Sequence, residues 1–199
     1  MASSNIREQN NFIKRTLLNT YVPKGSKVLD VGCGQGGDLH KWKHLEVDLT
    51  GIDPNSWAIE EAKRRSKGQY GTFLVGDIRS APLEQYDVIC YNFSLQYQSL
   101  ELFSEIDKRL KKPNGILIGI VTDQSVLENG EKDGIFIRRV DENNISVYIP
   151  DTPYYKNGPV TEPLLNKTNL FREARKYNMK PIIWDTFSIY AKFVFIYQQ

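Results

Sequence analysis

The stretch KVLDVGCGQGGDLHKW, residues 27–42, decides how the rest of the chain is interpreted. It begins as an apolar strand and then places Gly32, Gly34 and Gly37 in a G-x-G-x-x-G spacing. A glycine turn of this kind lets the backbone approach a nucleotide closely, and it leads from a first strand into a helix. The glycines alone do not say which nucleotide is bound, so the choice depends on the motifs around them.

Hydrophobic patterning on both sides of this stretch predicts alternating strands and helices. A helix is expected from about residue 5 to residue 20, another begins near Ser56 as its cap, and a late one is entered through Pro163. The last two strands, KPIIWDTFS and YAKFVFIYQ, are joined too closely for a crossover helix and must pair antiparallel. We therefore predict an α/β, Rossmann-like sheet, mostly parallel with a reversed C-terminal strand and helices on both faces.

Length and composition limit the classes of protein that remain. At 199 residues the chain is expected to form a single domain over 1–199, with residues 124–158 as a β insertion on the substrate side. Within that segment IFIRRV and ISVYIP read as a strand pair. With 26 basic and 24 acidic residues the net charge is only +2, so any contact with nucleic acid should be local.

The cysteines and histidines give no metal-ligand pattern. Cys33 and Cys90 lie in apolar contexts, which favours a reducing, intracellular compartment and no zinc. His40 and His44 have a spacing that can bind a metal, but without partner ligands they read as surface histidines. No apolar run approaches the ~18 residues of a membrane span, and no membrane partner is expected.

Three acids placed after successive strands favour S-adenosylmethionine over a nicotinamide dinucleotide. Asp53 ends the second strand, where a carboxylate holds ribose hydroxyls. Asp30 precedes the glycines and can face the ammonium of a methionine moiety, and Asp77 follows the third strand, where it suits an adenine amino group. The reversed terminal strand supports the same choice.

With these motifs the chain resembles class I S-adenosylmethionine-dependent methyltransferases, and more narrowly the mRNA cap guanine-N7 methyltransferases, including the domains in capping enzymes of large DNA viruses. The resemblance rests on REQNNFIK, VLDVGCGQGGDLHKW, YDVICYNFSLQY and TEPLLNKTNLFREARKYNM. It implies S-adenosylmethionine as the cofactor, no metal, and the capped mRNA 5′ end as the substrate. Triphosphatase and guanylyltransferase domains, fused or associated, are implied as partners. The location it implies is the host cytoplasm or virion for a viral protein and the nucleus for a cellular one.

The resemblance also implies roles for individual residues. On the cofactor side these are Lys14, Asp30, Gly32, Gly34, Asp53, Asp77, Ile78, Asn92 and Tyr97. On the cap side they are Asn10, Asn11, Gln35, Lys41, Arg65, Gln96, Glu162 and Tyr190, with Glu162 and Tyr190 orienting the guanine. Gln35 replaces a common lysine and Gln96 a common histidine, which is expected to weaken cap affinity. No residue is assigned as a catalytic acid or base, because guanine N7 carries no proton.

Several of the candidate residues also have a purely structural interpretation. Glu162 suits a helix N-terminus, Lys41 and Arg65 suit solvated helix faces, and Tyr154 and Tyr155 suit either a stacking platform or a packed loop. Two other functions stay open at this point. One is a methyltransferase acting on a small molecule or a protein, and the other is a non-catalytic subunit that binds RNA.

Overall fold

The computed structural model describes residues 2–126, 129–150 and 152–198, and within them the chain forms two β-sheets with helices around the larger one. In chain order the elements are α1 (Ala2–Tyr21), β1 (Lys27–Val31), α2 (Leu39–His44), β2 (Asp48–Asp53), α3 (Ser56–Ser66), β3 (Thr72–Val75), β4 (Val88–Asn92), α4 (Phe103–Arg109), β5 (Ile116–Thr122), β6 (Gly130–Lys132), β7 (Ile135–Arg139), β8 (Asn144–Tyr148), β9 (Val160–Pro163), α5 (Lys167–Lys176), β10 (Met179–Phe187) and β11 (Tyr190–Tyr197). Short 3-10 turns occupy 78–80, 95–97 and 100–102.

The larger sheet has the strand order β10-β11-β5-β4-β1-β2-β3. Strands β1 to β5 run parallel, whereas β11 is antiparallel to both of its neighbours, β5 and β10. Two residues, 188 and 189, link β10 to β11, and a link this short cannot carry a crossover. The predicted mostly parallel sheet with a reversed C-terminal strand is therefore confirmed.

Helices cover both faces of this sheet. Along β5, Leu117 and Val121 join one core cluster while Ile118 and Ile120 join the other, as expected for side chains that alternate across a strand. The first of these clusters contains side chains of α4 and α5, and the second contains side chains of α1, α2 and α3. Because both faces are buried, the central strands are almost continuously apolar.

The parallel direction of strands β1 to β4 also determines where a ligand can bind. The carboxyl ends of parallel strands meet at one edge of a sheet, and ligands of open α/β folds bind in the crevice outside that edge. The glycine turn follows β1, Asp53 ends β2, Asp77 follows β3, and Asn92 ends β4. These groups are brought together although they are spread over 60 positions of the chain.

The smaller sheet has the antiparallel order β6-β7-β8-β9. The predicted pairing of IFIRRV with ISVYIP is confirmed, with Ile137 opposite Val147. The sheet continues to Pro163, past the predicted end at residue 158, and positions 127, 128 and 151 of the segment lie outside the described residues. Its buried side chains, among them Ile145, belong to the same core cluster as Leu17 of α1, so this sheet packs on the α1 side of the large sheet.

One predicted helix start and one predicted helix cap are wrong. The helix predicted to enter through Pro163 begins at Lys167, because Pro163 ends strand β9 and the side chain of Asn166 accepts a hydrogen bond from the backbone N–H of Asn169. Ser56 does not cap α3, since the side chain of Asn55 does so by accepting from the N–H of Ala58.

Candidate functional site

In the glycine turn after β1, one glycine is packed against the protein and another faces open space. Gly32, Gly34 and Gly36 all adopt positive φ, at 78°, 52° and 70°, whereas Gly37 does not, so the third required glycine is Gly36 and not the predicted Gly37. A Cβ added at Gly32 would collide with the Cβ of Ser94, which means that the chain's own packing excludes a side chain there. At Gly34 nothing lies within 4 Å, so this glycine faces space that a ligand can occupy.

Asp53 ties that turn to the end of β2. Its Oδ2 accepts a hydrogen bond of 3.0 Å from the N–H of Gly34, and its Oδ1 accepts one of 2.9 Å from the N–H of Asn55. A carboxylate has about four acceptor positions, and Asp53 is only partly buried, so it retains capacity for two further donors. The geometry fits a carboxylate that accepts vicinal hydroxyl groups beside the open glycine.

Asp77 and Ile78 follow β3. The Oδ1 of Asp77 accepts from the N–H of Arg79 at 2.9 Å, while its Oδ2 lies 3.7 Å from the Arg79 guanidinium. Ile78 is buried at 1% exposure. Asp77 therefore caps a 3-10 turn with one oxygen and keeps the other available, while Ile78 is seated in the core.

One carboxylate oxygen of Asp30 is engaged by the protein itself. Its carboxylate is buried, at 5% exposure, and Oδ2 accepts a hydrogen bond of 2.9 Å from the indole N–H of Trp42. Burial and the neighbouring charge of Asp38 raise the pKa of Asp30 to about 7. In this structure Asp30 fixes Trp42 of α2 beneath the glycine turn, and Trp42 was given no role by the sequence.

Asp38 is the centre of a charged network that sequence reasoning missed. It receives hydrogen bonds from the ammonium groups of Lys14 and Lys41, with shortest distances of 2.8 and 2.6 Å, and lies 3.4 Å from the amide nitrogen of Asn92. Lys41 also donates to the side-chain oxygen of Asn11 at 3.0 Å. Burial alone would raise the pKa of Asp38, but Lys14 and Lys41 outweigh it and hold the pKa below its usual value.

The network changes the interpretation of Lys41. At 2% exposure its ammonium is buried, and it is not among the residues that line the neighbouring cavity. The expectation of a solvated helix-face charge is wrong, and the structure does not place Lys41 facing the cavity as a phosphate-side cation. The D-x-x-K spacing of Asp38 and Lys41 at the start of a helix was the available signal, since residues three apart share a helix face.

A cavity of about 950 Å³ opens between α1, the glycine turn, α3 and the segment before β9. Its lining includes several of the predicted cap-side residues. Asn10 and Asn11 come from α1, Gln35 from the glycine turn, and Arg65 from α3. Lys14 of α1, which was predicted on the cofactor side, lines the same cavity. The shared face predicted for the two asparagines and Lys14 is therefore a wall of this cavity.

Gln35 and Arg65 touch each other in that lining. The guanidinium of Arg65 donates to Oε1 of Gln35 at 3.1 Å and to Glu61 at 2.8 Å. A lysine at position 35 would place a second cation against Arg65, whereas the glutamine accepts a hydrogen bond from it. Gln35 thus orients Arg65 through a hydrogen bond, whereas a lysine at this position would add a positive charge.

Glu162 lies in strand β9 behind the aromatic lining of the cavity. It is 6% exposed, and its Oε1 accepts a hydrogen bond of 2.8 Å from the hydroxyl of Tyr155. Burial raises the pKa of Glu162, and the hydrogen bond from Tyr155, which lowers it, only partly offsets that effect. The helix-terminal interpretation of Glu162 is excluded by its position in a strand, opposite Ile145.

Aromatic side chains surround this carboxylate. Tyr190 is buried at 4% exposure, and its ring meets that of Phe93 edge to face at 4.8 Å. Phe93, which the sequence did not single out, lines the cavity and has a φ of 60°, a left-handed conformation that is unusual for a bulky residue. Tyr155 fits the packed-loop interpretation, whereas Tyr154 is 65% exposed and lines the cavity.

Two buried acceptors near the end of β4 have no hydrogen-bond partner in the described part of the chain, namely Oδ1 of Asn92 and Oε1 of Gln96. Buried polar atoms are almost always paired in native proteins, so unpaired ones at a crevice indicate a missing ligand or water. Tyr97, in the same turn, is 45% exposed. The two unpaired acceptors are therefore candidates for a hydrogen bond from a ligand or a water.

Other site types find little support among the described residues. No group of three or more His, Cys, Asp or Glu side chains there could hold a metal ion, and the described helices include none long and apolar enough to cross a membrane. Cys33 and Cys90 are both free.

The fold has close structural relatives. The PH0226 protein from Pyrococcus horikoshii superposes with a TM-score of 0.73 at 21% identity, covering 97% of this chain and 91% of that one. An S-adenosylmethionine dependent methyltransferase from Mesorhizobium loti gives 0.67 at 14% identity, covering 90% and 95%. Together with the strand order and the acids at the strand ends, these matches define a class I methyltransferase fold.

Comparison of the sequence with known proteins identifies a family within this fold class. The family model of the mRNA (guanine-N(7))-methyltransferase domain matches residues 3–147, and the chain belongs to this family. The mRNA cap guanine-N(7) methyltransferase of Schizosaccharomyces pombe is 30% identical over 158 residues, which are 64% of this chain and 44% of that protein. A mimivirus protein described as a "Probable mRNA-capping enzyme" is 48% identical over 52 residues, 26% of this chain and 4% of its own length. The chain thus spans less than half the length of these relatives.

Proposed function

We propose that this chain transfers a methyl group from S-adenosylmethionine to N7 of the guanine cap of mRNA. The observation that carries the proposal is the buried carboxylate of Glu162 beside a cavity that adjoins the glycine turn. Guanine presents N1–H and an exocyclic amine as adjacent donors, which a carboxylate accepts as a charge-assisted pair. Family membership and the names of the sequence relatives support the same substrate.

The cofactor side fits the same proposal. S-adenosylmethionine, when bound, supplies the methyl group as an electrophilic sulfonium. Asp53 has acceptor capacity for its ribose hydroxyls, the open face of Gly34 allows close backbone approach, and Asp77 keeps one oxygen available for the adenine amine. Asp30 and Asn92 lie nearby on the methionine side, and the unpaired Oδ1 of Asn92 suits the ammonium group.

The chain's own residues act by orientation and electrostatics. Guanine N7 has a lone pair and no proton, so no base is needed to activate it. A carboxylate at Glu162 holds the base in register and favours the positive charge that the base acquires on methylation. Burial raises the pKa of Glu162, and a guanine that donates two hydrogen bonds would counteract that effect by favouring the ionised form.

Arg65 and the Asn10–Asn11 wall supply the polar part of the cavity. Among the cations that line the cavity, Arg65, oriented by Gln35, is the best placed for the triphosphate bridge. Lys14 lines the cavity but also pairs with Asp38, so its charge is shared between the wall and the network. The partners we propose are the capped mRNA 5′ end and, fused or associated, the triphosphatase and guanylyltransferase activities of a capping enzyme.

The decisive assay is transfer of a labelled methyl group onto GpppA-capped RNA, with ApppA-capped and uncapped RNA as controls. We expect label only on the guanine-capped RNA, and nuclease digestion should recover it as 7-methylguanosine. Label on ApppA or on uncapped RNA at a comparable rate would support a different methyltransferase. Cofactor binding with no transfer to any of the three RNAs would support a non-catalytic subunit.

The cofactor assignment is tested separately by calorimetry with S-adenosylhomocysteine. The change Asp53→Ala removes the acceptors for two hydroxyl groups and should weaken binding by about 2–4 kcal/mol. Asp48→Ala, at an exposed carboxylate at the start of β2, is the matched control and should bind as the wild type does. Equal affinity for D53A and the wild type would contradict the assignment.

A further inference from the structure

Helix α3 presents an aromatic residue to the cavity that no part of the proposed reaction uses. Trp57, Glu61 and Arg65 are spaced at i, i+4 and i+8, so they form one stripe along the helix. Trp57 and Arg65 both line the cavity, and Glu61 lies between them and accepts from Arg65. Trp57 is 64% exposed, so its indole packs only partly against the protein.

The position of Trp57 separates it from the guanine-reading groups. Phe93 and Tyr155 line the cavity from the end of β4 and from the segment before β9, whereas Trp57 lines it from α3. Glu162 lies next to Tyr155, whose hydroxyl donates to it. Arg65 shares the stripe with Trp57. A ligand that places a base near Tyr155 and a phosphate near Arg65 therefore lies in the same cavity as the exposed indole of Trp57.

The charge and size of the cavity fit a ligand longer than one nucleoside. Its described lining contains Arg7, Lys14, Arg65 and Lys156 and no carboxylate, which suits several phosphate groups. At about 950 Å³ it lies at the upper end of the ~300–1,000 Å³ typical of small-molecule sites. A polyanion with a base at each end fills such a space better than a single guanosine does.

We propose that Trp57 is the stacking platform for the base of the first transcribed nucleotide, the nucleotide that the triphosphate bridge joins to the cap guanine. The inference rests on the proposed function and deepens it by adding a second base subsite. Stacking on an indole is sequence-tolerant, since every base has a π-face, so the subsite should accept adenine and guanine alike. It would make the dinucleotide cap a better acceptor than a guanosine triphosphate alone.

The test compares GTP with GpppA and GpppG as methyl acceptors for the wild type, W57A and W57F. In W57A the KM for both dinucleotides should rise roughly fivefold to a hundredfold, the range expected for loss of one stacked base, while the KM for GTP stays unchanged. W57F should retain most of the preference. F12A is the matched control, since Phe12 is 66% exposed on α1 but does not line the cavity, and it should change neither KM.

A binding readout complements the kinetics. The chain has three tryptophans, of which Trp42 is fully buried. Quenching of the intrinsic fluorescence by GpppA, larger than that by GTP, should be present in the wild type and lost in W57F. Melting temperatures of the variants show whether each one is folded.

The outcomes separate the two proposals. An equal change in KM for GTP and GpppA in a folded W57A, or no change for either, overturns the second subsite and leaves the proposed function standing. If the wild type methylates none of GTP, GpppA, GpppG and GpppA-capped RNA, the proposed function is overturned, and the subsite with it.

Discussion

The hydroxyl of Tyr155 donates a hydrogen bond of 2.8 Å to Oε1 of Glu162, and both side chains are buried, at 7% and 6% exposure. This contact occupies one oxygen of the carboxylate proposed to read guanine. A bound guanine would use the remaining acceptor capacity of Glu162 or displace the tyrosine. Tyr155 is therefore placed to hold Glu162 in one orientation before the substrate arrives.

The change Glu162→Gln tests the role of that carboxylate. The glutamine keeps the size of the side chain and can still accept from Tyr155 through Oε1, but its NH₂ opposes a guanine donor. We expect kcat/KM for GpppA to fall about tenfold to a hundredfold, with cofactor affinity and melting temperature nearly unchanged. Glu60→Gln, at a side chain 70% exposed on α3, is the control and should behave as the wild type does. Unchanged cap methylation by E162Q would exclude the guanine-reading role.

The two glycines of the turn should respond differently to alanine. At Gly32 the new Cβ would collide with the Cβ of Ser94 and the backbone has a φ of 78°, so overpacking adds to conformational strain. We expect G32A to lower the free energy of unfolding by about 2–5 kcal/mol. At Gly34 the space is open, so G34A should cost only the ~1–2 kcal/mol of a left-handed residue. Urea unfolding of both variants measures the difference, and equal losses would mean that Ser94 does not limit position 32.

Asp38 is predicted to be the stability-determining member of the buried network. In D38N the ammonium groups of Lys14 and Lys41 lose their counter-charge while Lys41 stays buried, so we expect a loss of about 3–5 kcal/mol in unfolding free energy. The exposed pair of Lys24 and Glu46, at 3.4 Å, provides the comparison. E46Q should cost less than about 1 kcal/mol. Similar effects for the two substitutions would show that the network is not protected from solvent.

Asp30 should make stability depend on pH. Its pKa is raised to about 7 in the folded protein from an ordinary value of 3.8. Between pH 3.8 and pH 7, Asp30 is therefore protonated in the folded state and ionised in the unfolded state. Stability contributed by the protonated form is present at low pH and is lost as the pH rises toward 7, with an upper bound of about 4 kcal/mol for a shift of this size. Above pH 7 the contribution no longer changes.

The corresponding measurement is the free energy of unfolding at pH 5 and pH 8. In D30N the amide oxygen can still accept from Trp42, so we expect the fold to be retained and the difference between the two pH values to shrink. D48N, at an exposed carboxylate, should keep the wild-type difference. An identical pH dependence of D30N and the wild type would show that Asp30 does not titrate in this range.

Much of the fold follows from local sequence. Apolar runs such as GILIGIVTD can only be buried strands, helical spacing separates them, and the two-residue link before Tyr190 forces an antiparallel return. Strand order then brings Asp53, Asp77 and Asn92 to one edge, because parallel strands present their carboxyl ends together. The order of strands and helices along the chain was sufficient to predict the sheet and the edge at which these side chains lie.

The tertiary structure decided the burial, the hydrogen-bond partners and the pKa of the side chains at the site. Lys41 reads as a surface charge on a helix, yet its ammonium is buried between Asp38, three residues earlier, and Asn11, which is 30 positions away on α1. Glu162 reads as the acid before a helix, but pairing with β8 makes it part of a strand and burial shifts its pKa. Local propensity and spacing determine which elements form. Solvent exposure, hydrogen-bond partners and pKa depend on neighbours that only the packed chain supplies, and so the chemistry of these two residues was set by contacts that no single stretch of the sequence contains.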